Sequence, residues 1–290
     1  MDSIQMRAYG KINLSLDVTG KRDNGYHDVR MIMQTVGIYD QITIRKMSGQ
    51  GIKVTTNLSF LPVDENNLVY KAAKLLMDEF NIDSGVSISL KKNIPVAAGM
   101  AGGSSDAAAV FVGMNRMFEL KLSKKELMER GVKLGADIPY CIMRGTVLAE
   151  GIGEVLTPLK AMPDCHILIA KPHVNVSTAF VYKNLHLDSI DKHPDVDRAI
   201  AAIDAGDIKE LALSMENILE TVTVPAYPVI EDLKNLMKEG GALNAIMSGS
   251  GPTVFGIYDD KEQAGGAYKL VEESGLARQL FLTRPFNVNA

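Results

Sequence analysis

The 290-residue sequence has no tryptophan and only two cysteines, Cys141 and Cys165, which stand far apart and form no C-x-x-C pair. Its five histidines form no H-E-x-x-H pattern. A structural zinc site is therefore not indicated. The longest apolar region is interrupted by the polar residues 104–106, so we predict no membrane-spanning segment. The first residues lack the apolar core of a signal peptide, and we expect a protein of the reducing cytoplasm.

The sequence also lacks a strong excess of either charge. Lysine and arginine number 31 against 35 acidic residues, a net charge of −4 with the signs well mixed. Nucleic-acid binding would need a basic face, so we expect no nucleic-acid partner and no membrane partner. The length allows one large domain or two moderate ones. We expect a monomer or a weak homodimer.

The central feature of the sequence is a loop rich in small residues, Pro95–Gly103, between a strand pattern and a helix pattern. Ser104, Ser105 and Asp106 follow it and are typical of helix starts. Such a loop offers free backbone N–H groups and the positive end of a helix dipole, which suits a phosphate. The alternative is a tight strand-to-helix turn with no ligand. Neither a Walker A string nor G-x-G-x-x-G is present.

Two further segments place polar residues in suggestive patterns. Near the N-terminus apolar and polar residues alternate, so Lys11 and Asn13 lie on one face of a predicted strand. On the residues alone, a solvated strand face is the better explanation of the two. Near the C-terminus, Ser248–Pro252 is a second glycine-rich loop, and two such loops favour a shared phosphate site.

Local patterns predict several other elements. Residues 41–44 and 52–55 are predicted as a pair of strands around a glycine turn, and residues 66–80 as a helix that Asn67 caps. Lys92 ends a predicted strand just before the first loop. Asp137 is predicted to cap a short turn before a proline.

Three strings, taken in order, resemble the motifs of the GHMP kinases. They are Ala8–Leu14 (AYGKINL), Pro95–Ser105 (PVAAGMAGGSS) and Ser248–Phe255 (SGSGPTVF). The resemblance implies an α+β fold of two domains, residues 1–160 with a mixed sheet and residues 161–290 with a ferredoxin-like arrangement. It also implies an active site in the cleft between them, with ATP and Mg²⁺ as cofactors.

Two shorter strings are similar to one branch of this family. Gly25-Tyr26-His27 and Gly135–Pro139 (GADIP) resemble the branch that phosphorylates 4-diphosphocytidyl-2-C-methyl-D-erythritol. The resemblance implies transfer of the γ-phosphoryl group of ATP to the 2-hydroxyl of that substrate, in the non-mevalonate route to isoprenoid precursors.

Residue roles follow from the same resemblance. Lys11 and Asp137 are expected to be catalytic, and Ser105 is a candidate ligand of Mg²⁺. The expected substrate-binding residues are Asn13, Tyr26, His27, Thr178 and Tyr182, with tyrosine and histidine recognising the cytosine. The expected ATP-binding residues are Asn67, Lys92, Pro95, Val96, Ala97, Ala98, Gly99, Met100, Ala101, Gly102, Gly103, Ser104, Ser105, Ser248, Gly249, Ser250 and Gly251.

Two other functions stay open at the level of the sequence. One is another GHMP enzyme, such as a mevalonate, homoserine or sugar kinase, although the acceptors of those kinases have no base for Tyr26, His27 and Tyr182 to bind. The other is a non-catalytic nucleotide-binding protein on the same fold, against which the presence of both Lys11 and Asp137 argues.

Overall fold

The computed structural model describes residues 1–288, which form a mixture of strands and helices. The strands are β1 (Ser3–Lys21), β2 (His27–Met47), β3 (Ile52–Thr56), β4 (Gly85–Lys91), β5 (Thr146–Glu150), β6 (Val155–Pro158), β7 (His166–Pro172), β8 (Asn244–Met247), β9 (Val254–Tyr258) and β10 (Ala277–Thr283). The helices are α1 (Leu68–Glu79), α2 (Gly102–Met117), α3 (Lys124–Gly131), α4 (Ile138–Met143), α5 (Thr178–Lys183), α6 (Val196–Ala205), α7 (Ile208–Ser214), α8 (Glu220–Ala226), α9 (Val229–Glu239) and α10 (Lys261–Ser274).

The chain divides into two compact units that interleave along the sequence. The first unit contains residues 1–10, 38–96 and 101–143, and the second contains residues 11–37, 97–100 and the chain from Arg144 onward. Strands β1 and β2 each begin in one unit and end in the other. The single boundary expected between residues 160 and 161 is not tested by this division and stays a prediction.

In the first unit, segments of β2, β3 and β4 form part of a mixed sheet in which β1 also pairs with β2. The second half of β2 (residues 41–47) pairs antiparallel with β4, and β4 pairs parallel with β3. The alternating apolar residues of β4 that the sequence pattern points inward are buried. The prediction that residues 41–44 and 52–55 pair with each other is wrong, because β4 lies between those two strands.

Two helices of the first unit begin in different ways. Asn67 caps α1 as predicted, since its side-chain oxygen accepts a hydrogen bond from the amide of Val69. Helix α2 begins earlier than expected, at Gly102, after Ala101 in a left-handed conformation with no side-chain cap. The serines and the aspartate at 104–106 are therefore inside the helix, and the prediction that they cap it is wrong.

In the second unit, β7, β8, β9 and β10 form a four-stranded antiparallel sheet in the order β10-β7-β9-β8. Numbered along the chain this is the order 4-1-3-2, with helices between the first and second strands and α10 between the third and fourth. That arrangement is the ferredoxin-like β-α-β-β-α-β motif, as predicted for the C-terminal part. The first half of β2 also pairs here with β5, and β5 with β6.

None of the helices that the structure describes is long and apolar enough to cross a bilayer.

Candidate active site

Strand β1 carries Lys11 and Asn13 on one face, and that face is buried. Lys11 is 5% exposed and Asn13 is fully buried. The ammonium of Lys11 donates to the side-chain oxygen of Asn13 over 2.5 Å. A solvated strand face is thus excluded, and a cation held by a hydrogen-bonding partner in a buried position is suited to act on a bound substrate.

The first glycine-rich loop, Pro95–Gly103, contains two alanines in the left-handed region. Ala97 has a φ of 52° and Ala101 a φ of 53°, whereas Ala98 is buried with a φ outside that region. Within the described chain, the amides of Gly102 and Gly103 donate to no acceptor, and neither does that of Ser104. The start of α2 therefore offers the free donors and positive dipole end that bind phosphate.

Hydrogen bonds within the second unit join all three glycine- and lysine-containing motifs. The amide of Lys11 donates to the carbonyl of Met100 over 3.2 Å. The hydroxyl of Ser248 donates to the carbonyl of Gly99 over 3.1 Å and accepts from the amide of Asn13 over 3.3 Å. A Cβ on Gly99 would overlap the carbonyl oxygen of Ser248, so only glycine fits at this crossing. Segments almost 240 residues apart thus meet at one point.

The second glycine-rich loop, Ser248–Gly251, has two glycines at positive φ, Gly249 (57°) and Gly251 (86°). The amides of Gly249 and Ser250 find no acceptor in residues 1–288. Consecutive free amides around a left-handed residue form a concave site for an anion. The hydroxyls of Ser250 and Thr178 are 2.8 Å apart, so this loop contacts one residue of the expected substrate set.

An aromatic pair lies elsewhere in the second unit. The rings of His27 and Tyr182 have centroids 5.0 Å apart and are tilted by 39°. Burial, and then the charge of Lys21, lower the pKa of His27 below its usual value of about 6.5. Tyr26, next to His27 in the chain, is 57% exposed. A neutral histidine with aromatic neighbours, one of them open to solvent, is suited to recognise a flat heterocycle.

Lys92 lies in a buried ion cluster with Asp40 and Asp106 in the first unit. Its ammonium contacts one oxygen of each carboxylate. Burial alone would lower the pKa of Lys92, but Asp106 and Asp40 outweigh that effect and raise it. Burial raises the pKa of Asp106 to about 8, against the opposing effect of Lys92. The expected contact of Lys92 with adenine stays a prediction, since its ammonium is engaged inside the protein.

Asp137 precedes α4 in the first unit. Helix α4 packs against α2, and a Cβ on Gly135 would lie 4.0 Å from the hydroxyl of Ser104. The turn that carries Asp137 is therefore close to the start of α2. No hydrogen bond or ion pair of the Asp137 side chain occurs in the described part of the chain, so the predicted capping role is not observed. Lys11 belongs to the other unit, and its pairing with Asp137 stays a prediction.

The residues near α2 fit a Mg²⁺ ion that arrives on a nucleotide. Such an ion keeps several waters and needs few protein ligands beside the phosphates. No group of three His, Cys, Asp or Glu side chains that could hold a metal occurs in residues 1–288. The hydroxyl of Ser105 donates to the carbonyl of Tyr9 over 2.6 Å, which leaves its oxygen lone pairs for a cation.

Sequence reasoning missed four polar residues that support the loops. Asp40 and Asp106 flank Lys92, and Asn217 and Glu220 hydrogen-bond to the backbone around Ser248. The sequence pattern indicates Asp106 only as a helix-start residue. For the other three the sequence carries no local signal, because each acts on a segment distant along the chain.

Comparisons with known proteins agree with the motifs. Residues 67–145 match the family described as GHMP kinases N terminal domain, and residues 199–275 match GHMP kinases C terminal. The chain is 56% identical over 286 residues to the 4-diphosphocytidyl-2-C-methyl-D-erythritol kinase of Lachnospira eligens, covering 99% of both chains. It is 54% identical over 286 residues to the kinase of the same name from Lachnoclostridium phytofermentans, covering 99% of this chain and 98% of the relative.

A solved structure is similar over nearly the whole chain. The crystal structure of a 4-(cytidine 5'-diphospho)-2C-methyl-D-erythritol kinase superposes with a TM-score of 0.84 at 26% identity, covering 98% of this chain and all of the other. A homoserine kinase from Cytophaga hutchinsonii has a TM-score of 0.79 at 20% identity, covering 99% of this chain and 95% of its own. At 20% identity, the similarity to the homoserine kinase shows the fold alone.

Proposed function

This chain belongs to the GHMP kinases, in the branch of the 4-diphosphocytidyl-2-C-methyl-D-erythritol kinases, and we propose that it transfers the γ-phosphoryl group of ATP to the 2-hydroxyl of 4-diphosphocytidyl-2-C-methyl-D-erythritol. The products are ADP and the 2-phosphate. The reaction belongs to the non-mevalonate route to isoprenoid precursors.

One observation carries the proposal more than any other. The Ser248 hydroxyl joins the carbonyl of Gly99 to the amide of Asn13, so the two glycine-rich loops and the lysine strand meet. A phosphoryl-transfer site needs positioning and charge stabilisation more than covalent chemistry. Free amides on both loops and a buried cation on the strand meet that need.

The proposed chemical roles are divided between two side chains. Asp137 accepts the proton of the attacking hydroxyl, which its carboxylate can do without first breaking a hydrogen bond. Lys11 stabilises the negative charge that develops on the oxygen in the transition state. Asn13 holds the Lys11 ammonium in place and lies beside the acceptor.

The proposed acceptor site recognises the cytosine base of the substrate. Tyr26 and Tyr182 provide aromatic faces, and neutral His27 offers one unprotonated ring nitrogen as an acceptor for the polar edge of the base. Thr178 joins this set to the second loop through Ser250. A sugar, mevalonate or homoserine acceptor carries no base that these residues would recognise.

ATP is proposed to place its phosphates on the start of α2 and on Ser248–Gly251. Asn67 and Lys92 are proposed to line the adenine end. The Ser105 oxygen would help to hold a Mg²⁺ ion that arrives with ATP, and that ion would supply charge neutralisation. A cytoplasmic location, the absence of nucleic-acid and membrane partners, and a monomer or weak homodimer stay predictions from the sequence.

The proposal is tested by release of ADP from Mg-ATP. The purified chain is mixed with 4-diphosphocytidyl-2-C-methyl-D-erythritol, and with galactose, homoserine, mevalonate and phosphomevalonate in parallel. We expect turnover with the cytidyl acceptor alone. Turnover with another acceptor would keep the kinase and reject the cytosine site. Binding of ATP without turnover of any acceptor would reject catalysis.

A further inference from the structure

Asn217 is buried beside the second glycine-rich loop and uses its whole side chain there. Its amide nitrogen donates to the carbonyl of Met247 and to that of Gly249, both over 2.8 Å. Its oxygen accepts from the amide of Leu219 over 3.0 Å. Both donors of the side chain are thus spent on the backbone on either side of Ser248, and the acceptor fixes the side chain on its own segment.

The segment that carries Asn217 is itself fixed to the lysine strand. Leu16 of β1 accepts from the amide of Ile218 over 2.9 Å and donates to the carbonyl of Glu216 over 3.0 Å. Glu220 adds a second hold on the loop, because its carboxylate accepts from the amide of Met247 over 2.6 Å and pairs with Lys234. The strand that carries Lys11 and Asn13 is therefore connected to the loop through residues 216–220.

The hydrogen bond from Asn217 to the Gly249 carbonyl determines the direction of the Ser250 amide. In a trans peptide the N–H lies opposite the C=O. Because the Gly249 carbonyl faces Asn217, the amide of Ser250 faces away from it. That amide has no acceptor in the structure over residues 1–288, nor has the amide of Gly249. The Met247 carbonyl is held in the same way, but the amide that follows, that of Ser248, donates to Thr253 and closes the base of the loop.

We propose that Asn217 is a positioning residue for ATP, which turns the free amide of Ser250 toward the nucleotide phosphates by holding the carbonyl of Gly249, while its bond to the carbonyl of Met247 fixes the base of the loop. The inference deepens the proposed function and rests on it for the identity of the anion. Asn217 itself touches no substrate. Its loss therefore weakens nucleotide binding more than recognition of the acceptor, whose proposed residues the loop contacts through two side chains, Ser248 and Ser250.

Asn244 offers a matched control. Its side chain also donates to two backbone carbonyls, those of Ala212 and Met215, and also accepts from a backbone amide, that of Ala245. Substitution by alanine removes the same set of hydrogen bonds at either position and adds no charge. Only Asn217 holds the loop.

The test compares Asn217→Ala and Asn244→Ala by calorimetric titration with Mg-ADP and Mg-ATP, and by the KM values for ATP and for the cytidyl acceptor. We expect Asn217→Ala to raise the Kd of both nucleotides and the KM for ATP at least tenfold, with a clearly smaller rise in the acceptor KM. Asn244→Ala should lower Tm by about as much as Asn217→Ala does. Its Kd values for Mg-ADP and Mg-ATP should stay within twofold of wild type. Equal nucleotide affinity in the two variants would overturn the inference.

A measurement on the wild-type chain covers the case in which Asn217→Ala does not fold. Hydrogen exchange at the amides of Gly249 and Ser250, followed by NMR, should slow on addition of Mg-ADP. Unchanged exchange at saturating nucleotide would overturn the inference. If the chain binds ATP through these amides but phosphorylates no acceptor, the inference stands and the proposed function fails. If it binds no nucleotide, both fail.

Discussion

Ala101 occupies a backbone conformation that favours glycine, with φ 53° and ψ 30° at the start of α2. The left-handed region costs an alanine about 1–2 kcal/mol. A glycine at the same position lowers the free energy of unfolding by about 0.4–1 kcal/mol, because it gives the unfolded chain more conformational freedom. Ala101→Gly is therefore expected to raise the free energy of unfolding by up to about 1.5 kcal/mol. Denaturant unfolding of the variant and the wild type measures this difference in the free energy of unfolding.

Ala98→Gly is the matched control in the same loop. Ala98 is 2% exposed and has no positive φ, so the glycine gains nothing and a buried methyl is lost. We expect this variant to lose about 1 kcal/mol. A loss of the same size from Ala101→Gly would show that residue 101 is not left-handed.

His27 gives the acceptor site a dependence on pH. Its lowered pKa means that the ring is neutral at pH 7 and gains a proton only below about pH 6.5. Protonation removes the ring acceptor and leaves two donors, which no longer match the cytosine edge. The KM for the cytidyl acceptor should be constant between pH 7 and 8 and should rise as the pH falls below 6.5.

Substitution identifies the titrating group. His27→Gln keeps one donor and one acceptor but has no ionisable ring. The KM of this variant should start higher and stay nearly flat down to pH 5.5. If the variant shows the same rise at low pH as the wild type, another group is responsible.

At the scale of elements, Gly99 marks the crossing of the two loops. It has a φ of 71°, and a Cβ there would overlap the carbonyl of Ser248. Gly99→Ala is expected to lower the free energy of unfolding by about 2 kcal/mol or more, because the left-handed conformation and the overlap both act against it. Thermal unfolding measures the loss.

Helix α10 offers the opposite case. Gly266 is exposed inside this helix and has nothing within 4 Å of a built Cβ. Alanine is the better helix former by about 0.8–1 kcal/mol, so Gly266→Ala should raise stability by about that amount. A gain from Gly99→Ala, or a loss from Gly266→Ala, would contradict the structural account of the two glycines.

Local signals predicted helix starts correctly when the partner was nearby. Asn67 caps α1 through the amide of Val69, two residues away. The same reasoning failed for Ser105 and Asp106, whose partners are Tyr9 and Lys92. The pairing of β4 between β2 and β3 was missed for a similar reason, since a parallel partner more than 30 residues away leaves no local pattern.

For the whole molecule, the ordered motifs predicted the family, which the comparisons confirm. In the structure, residues of both loops and of the lysine strand meet at Ser248. The residues that hold those loops, Asp40, Asn217 and Glu220, could not be predicted. Their roles depend on tertiary hydrogen bonds rather than on a residue pattern.

Asp137 is the residue on which the proposed mechanism depends. Asp137→Asn keeps the shape of the side chain and removes the proton acceptor. We expect kcat to fall by about 10²–10⁴-fold, the range for loss of a general base, with the KM for ATP and Tm nearly unchanged. Near-wild-type kcat in a folded variant would remove Asp137 from its proposed role.

The most direct test of the central claim is ³¹P NMR of the reaction products. The wild-type chain is incubated with Mg-ATP and 4-diphosphocytidyl-2-C-methyl-D-erythritol, and the new phosphorus signal is assigned. We predict a phosphomonoester attached at carbon 2 of the methylerythritol. The cytidine diphosphate signals should be retained, and one ADP should form per ester. Inorganic phosphate alone, or an ester at another hydroxyl, would contradict the account.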